Sequence, residues 1–61
     1  MIYENLPKDN MMLLSLVNTK LRDDYESLAA LCDDWDIPEA EITTRLHSID
    51  YSYDKNLNRF I

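Results

Sequence analysis

Sixty-one residues hold one small domain, since a chain of this length buries only about 60% of the surface its unfolded form exposes. Twelve acidic against six basic residues leave a net charge of −6, which argues against a nucleic-acid-binding surface. A single cysteine excludes an internal disulfide, and the absence of glycine excludes phosphate-cradling loops, dinucleotide fingerprints and EF-hand loops, each of which needs glycine for its backbone geometry.

Glu4, Pro7 and Asp9 precede the first apolar stretch, the reverse of a signal peptide's basic start. That stretch, Met11 to Val17, is broken by Ser15 and falls far short of the roughly 20 residues a membrane span needs. A soluble, cytoplasmic protein with no membrane contact is the expectation, and the unpaired Cys32 accords with a reducing compartment. Asn5-Leu6-Pro7 reads as an extended lead-in, because the residue before a proline is pushed away from helix. Asp9 or Asn10 can cap a helix over about 10–22. Leu14, Val17 and Leu21 form its expected core stripe at spacings of three and four.

Ser27 is a good N-cap for a second helix over about 28–35, with Leu28, Leu31, Cys32 and Trp35 on one side. Asp36 and Ile37 make a short turn. Pro38 fits the first position of a third helix, where its missing N–H costs nothing, and that helix runs to about Ser48 with Ile42, Leu46 and Ile49 as its buried row. The alternation of Tyr51 and Tyr53 with polar residues, then a turn at Asp54-Lys55-Asn56 and a return over 57–61, reads as a β-hairpin. Asn56 is the expected positive-φ residue of that turn.

Segment 28–46 resembles a helix-turn-helix. Leu31-Cys32 stands where the motif has an apolar then a small residue, and Trp35-Asp36-Ile37 where it usually has Leu-Gly-Ile. Ile42 and Leu46 follow at the spacing that packs the second helix on the first. Asp36 replaces the customary glycine, and Asp tolerates the left-handed conformation better than most residues. With a helix before and a hairpin after, the order is winged-helix-like, and Tyr25-Glu26 is the candidate for a short first strand. The expected fold is therefore mainly α: a single three-helix, helix-turn-helix-like domain over residues 1–61 with a C-terminal β-hairpin.

In DNA-binding relatives of that fold the third helix enters the major groove. Here segment 27–48 sets five acids, Asp33, Asp34, Asp36, Glu39 and Glu41, against Arg45 alone. Phosphate contacts need Lys or Arg, so this helix would be repelled.

Over nearly its full length the chain also resembles a family of short bacterial proteins described as domain of unknown function 4250. The resemblance is carried by Glu4-Asn5-Leu6-Pro7-Lys8-Asp9, Met12-Leu13-Leu14-Ser15 with Asn18, Lys20-Leu21-Arg22-Asp23, Ser27-Leu28 with Leu31-Cys32, and Tyr51-Ser52-Tyr53-Asp54 to Asn58-Arg59-Phe60. It implies a bacterial, cytoplasmic protein and carries no activity, substrate or site.

Each chemically suggestive residue has a plainer reading. Cys32 could be a nucleophile, ligand or redox sensor, but without a second cysteine it reads as a small core residue at the helix–helix contact. His47 reads as a solvent-facing residue near a helix C-terminus, where partial positive charge is favoured. The acidic cluster lacks the alternating oxygen ligands, glycine and distal glutamate of a calcium loop; it reads as a solvated face or a surface for a basic protein partner. Tyr51, Tyr53 and Phe60 read as hairpin core rather than a stacking platform for single strands.

No catalytic, metal or cofactor site is expected, and the chain reads as a non-catalytic protein-interaction module, with a winged helix-turn-helix DNA-binding regulator as the alternative. The first helix is apolar on more than one side, so Met12, Leu13 and Leu16 are expected to form an exposed strip. Two covers for it are open: Ile2, Tyr3 and Leu6 folding back as a hydrophobic staple, or a second copy in a symmetric dimer.

Overall fold

Asp9 starts the first helix. In the computed structural model, which describes residues 6–61, its carboxylate accepts from the backbone N–H groups of Met11 at 2.8 Å and Met12 at 3.4 Å. These are donors that a helix N-terminus otherwise leaves unpaired. Helix α1 then runs Asn10–Asp23. The Ser27 hydroxyl does the same for Ala30 at 3.0 Å and starts α2, Leu28–Trp35. Helix α3, Glu39–His47, follows after a tight turn, with Pro38 as its N-cap rather than its first residue. Strands β1, Tyr53–Asp54, and β2, Arg59–Phe60, close the chain as an antiparallel hairpin that pairs Tyr53 with Phe60 and Asp54 with Arg59. Ser52 and Ile61 extend the ladder by exchanging two backbone hydrogen bonds of 2.9 Å.

The expected architecture of three helices and a hairpin is therefore present. One expected element is not: Tyr25-Glu26 forms no strand. The Tyr25 N–H donates to the carbonyl of Lys20 at 3.1 Å, which folds this segment onto the end of α1 instead of extending it. Among the described residues the sheet has two strands, not the three of a winged helix.

Trp35, Leu31, Ile42, Leu46 and Val17 are fully buried and form the centre of the core, with Leu14, Leu21, Leu28, Cys32 and Phe60 around them. Ile49, expected in the buried row of α3, is half-buried at the core's edge, as is Ile37 of the turn. Leu13 corrects the expected exposed strip, for it has no exposed surface at all. At about 100° per residue, Leu13, Val17, Leu21 and Leu14 share one arc of α1. That arc must serve three neighbours, because α1 packs against α2, α3 and β2 together. Leu16 is half-buried against the core, as is Leu6 of the lead-in. Of the strip only Met12 stays exposed. Ile2 and Tyr3 lie outside the described residues.

Without glycine, the left-handed backbone positions fall to polar residues: Asp36 at φ 58°, Asp50 at φ 67° and Asn58 at φ 54°. Asp36 was expected. In the hairpin the role falls to Asn58 and not to Asn56, whose N–H instead donates to the Asp54 carboxylate at 2.8 Å. The reason is tertiary. From the left-handed position the Asn58 amide nitrogen donates to the carbonyls of Leu21 at 3.0 Å and Tyr25 at 2.9 Å, satisfying one acceptor in the last turn of α1 and one just beyond it. Its oxygen accepts from the Tyr53 hydroxyl at 2.7 Å, and that hydroxyl accepts from the N–H of Leu28 at 3.2 Å.

Asn18 acts similarly. Its oxygen accepts from the Phe60 N–H at 2.8 Å and its nitrogen donates to the Phe60 carbonyl at 3.1 Å, so the side chain takes the place of a neighbouring strand.

Candidate interaction surfaces

The five acidic residues singled out in the sequence are all exposed, but the fold does not keep them together. Asp36, left-handed at the C-cap of α2, reverses the chain. The reversal brings Asp33, Asp36 and Glu39 around one shallow depression of about 460 Å³, whose remaining lining is Ala29, Cys32, Ile37 and Pro38. Three carboxylates thus rim a partly apolar floor.

Asp34 is turned to other work. The Tyr25 hydroxyl donates to its carboxylate at 2.5 Å and accepts from the Trp35 indole N–H at 3.1 Å. The Tyr25 and Trp35 rings meet edge to face, centroids 6.2 Å apart. The hydrogen bond from Tyr25 holds the Asp34 carboxyl below its ordinary range and, in return, raises the Tyr25 phenol. Glu41 lies in the first turn of α3, outside the depression.

Arg45, the lone base of this segment, does not balance the acids. Its guanidinium is drawn towards the lead-in, where Nε donates to the Asn10 side chain at 2.9 Å and Nη2 to the carbonyl of Pro7. Cys32, on the floor of the depression, is buried, and burial with the nearby Glu39 charge pushes its thiol up to about 11. A thiol held protonated in this way is a weak nucleophile and a poor metal ligand. His47 is exposed in the last turn of α3 and does not line the depression. Among the described residues no three His, Cys, Asp or Glu side chains are placed to hold a metal ion, and no helix is long and apolar enough to cross a membrane.

Of the apolar candidates, Met12 is 62% exposed, Leu16 half-buried and Leu13 wholly inside, so they form no continuous surface. A different surface escaped the sequence reading. A groove of about 850 Å³ runs between α1 and the hairpin, with Met11, Leu14 and Leu57 as apolar lining and Arg22 and Arg59 among its polar residues. One signal for it was available: Leu57 is an isolated apolar residue in a polar turn, and the structure leaves it 55% exposed.

Residues 7–60 match the family described as Domain of unknown function (DUF4250). No curated protein and no solved structure matches the chain.

Proposed function

Because the chain belongs to the family described as Domain of unknown function (DUF4250), a description that assigns no activity, we propose a function from the geometry: a non-catalytic protein-interaction module whose α2–α3 corner receives a basic segment of a partner protein. The observation that carries this reading is the rim of Asp33, Asp36 and Glu39 around a floor containing Ala29, Ile37 and Pro38. A lysine or arginine side chain lays its aliphatic stem on such a floor and keeps its charged head among carboxylates. Arg45, engaged by Asn10 and Pro7, leaves that rim without a base among the described residues that line it.

The competing reading, a DNA-binding regulator, has less to stand on. Glu39, Glu41 and Thr44 are exposed on α3, and its one arginine is half-buried in contacts within the chain. A protonated Cys32 and a solvent-facing His47 likewise favour binding over catalysis.

The test is a pull-down from bacterial lysate with the native chain beside an Asp33→Lys/Glu39→Lys variant. A partner with a basic contact segment should be retained by the native chain and lost by the variant. Equal retention by both removes the acidic corner as the binding surface. A gel shift with duplex DNA at low salt, falling steeply as salt is raised, replaces the protein partner with DNA.

A further inference from the structure

The groove between α1 and the hairpin has the opposite chemistry to the acidic corner and shares none of the described residues with it. We propose that it is a second docking surface, and that its occupant is an acidic amphipathic helix of a partner protein. This inference is independent of the acidic-corner reading.

Three observations select that occupant. First, the lining has two arginines and no acid among the described residues, on a chain whose net charge is −6. Arg22 is held by Asp23, with Nε and Nη2 on its two carboxylate oxygens at 2.8 and 3.0 Å, while Arg59 is exposed with no ion pair among the described residues. Arg59 is thus the charge on offer, and it fits a carboxylate.

Second, the groove cannot take an added strand. The outward N–H and carbonyl of Phe60 are both taken by the Asn18 amide, so the β2 edge is sealed there against main-chain pairing. The Asn58 amide is likewise spent, on Leu21, Tyr25 and Tyr53. What remains for an occupant is side-chain contact, the mode by which a helix docks in a groove.

Third, the apolar lips are adaptable and wet. Met11 is 53% and Leu57 55% exposed, although neither is needed for the core. The lining runs along α1 from Met11 to Arg22, roughly 16 Å at 1.5 Å per residue, which matches three turns of a partner helix.

The probe is a display library of random peptides of about 16 residues, three to four turns with flanks, selected on the immobilised full chain. Winners are synthesised and titrated into the isotope-labelled protein by NMR. The proposal expects a pool with net negative charge, with apolar residues at helical spacing and shifts at Ser15, Asn18, Thr19 and Arg59. Binding of that pool should weaken about five-fold in Arg59→Gln and about ten-fold in Leu57→Ser. Trp35 fluorescence checks that both variants are folded, and Asp33→Lys/Glu39→Lys should leave this pool's affinity unchanged.

The proposal is overturned if no pool shifts the groove residues, if the pool that does is basic, or if both groove variants bind it as the native chain does. It is also overturned if the chain's mass doubles in sedimentation equilibrium and Leu57→Ser restores the monomer, since the occupant is then a second copy.

Discussion

Replacing Asn58 tests whether a side-chain amide, rather than apolar burial alone, fastens the hairpin to the helices. Its amide makes two donated bonds, to Leu21 and Tyr25, and accepts one from Tyr53, all partly buried. A net 0.5–1.5 kcal/mol per bond, reduced because water reaches some of these groups once the amide is gone, puts the amide at about 2 kcal/mol. The backbone adds a separate cost. At φ 54° an alanine pays about 1 kcal/mol for the left-handed conformation, whereas glycine does not. Asn58→Ala should therefore destabilise by about 3 kcal/mol and Asn58→Gly by about 2 kcal/mol. For a domain this small the first corresponds to a fall of about 12–24 °C in melting temperature. Trp35, the chain's only tryptophan and fully buried, reports unfolding by urea through its fluorescence. An Asn58→Ala variant within about 0.5 kcal/mol of the native chain refutes the argument, because surface substitutions without a structural role fall in that range. Equal losses for alanine and glycine refute the backbone part alone.

Ile42→Ala should cost about 2–5 kcal/mol, since Ile42 is fully buried between α3 and the rest of the core; a urea midpoint unchanged from the native chain would show that the site is not packed as described. Cys32, whose thiol is raised from an ordinary 9.0 to about 11, contributes stability that is complete below pH 9 and is lost as pH rises through about 11. A Cys32→Ala variant should therefore show a flatter decline over that window in alkaline titrations followed by circular dichroism, and an identical slope counts against a buried thiol. With Leu13 inside and Leu16 half-covered, sedimentation equilibrium should find a constant 7.2 kDa species from micromolar to millimolar concentration. Leu16→Glu should destabilise that monomer, not dissociate a dimer, and a concentration-dependent mass reverses the conclusion.

What could be read from the residues was mostly local. Ser27 and Asp9 announce helix starts by a chemistry confined to three or four residues, and α2 and α3 follow from the placement of Trp35, Asp36, Ile42 and Leu46. Even the left-handed Asp36 was legible, because the two helices need a reversal and no glycine is present to make it. Leu13 was misread because a helix packed on one side needs a narrower stripe than α1, which serves α2, α3 and β2. Asn56 and Asn58 are equivalent on propensity, and the choice between them rests on carbonyls 33 and 37 residues away. Tyr25 suits a strand by propensity, yet its hydroxyl is recruited by Trp35 and Asp34 from α2. The acidic residues were visible as a cluster, but their division was not. Asp33 and Asp34 are neighbours in sequence, about 100° apart on a helix, and one turns to the depression while the other turns to Tyr25.

The same hydrogen bonds bear on why the surface is charged as it is. Asn18, Asn58 and Arg45 tie the hairpin and the lead-in to the helices through named acceptors and donors, so those ties ask nothing of Asp33, Asp36 or Glu39. Asp36 serves the fold through its left-handed backbone at the α2–α3 reversal rather than through its carboxylate. Placing three carboxylates around one depression sets like charges against each other, a cost to the compact state that no cation among the described lining residues offsets. The fold equally asks nothing of Leu57, which stands exposed on a turn already closed by the Asp54 carboxylate accepting from the N–H groups of Asn56 and Leu57. In a chain with so little core to spare, features that cost stability and support no element are the ones to attribute to binding. They lie in two places of opposite character, a carboxylate rim on α2–α3 and an arginine-flanked apolar groove on α1 and the hairpin. A segment suited to one is repelled by the other, so the two surfaces can be occupied together without competing for the same partner.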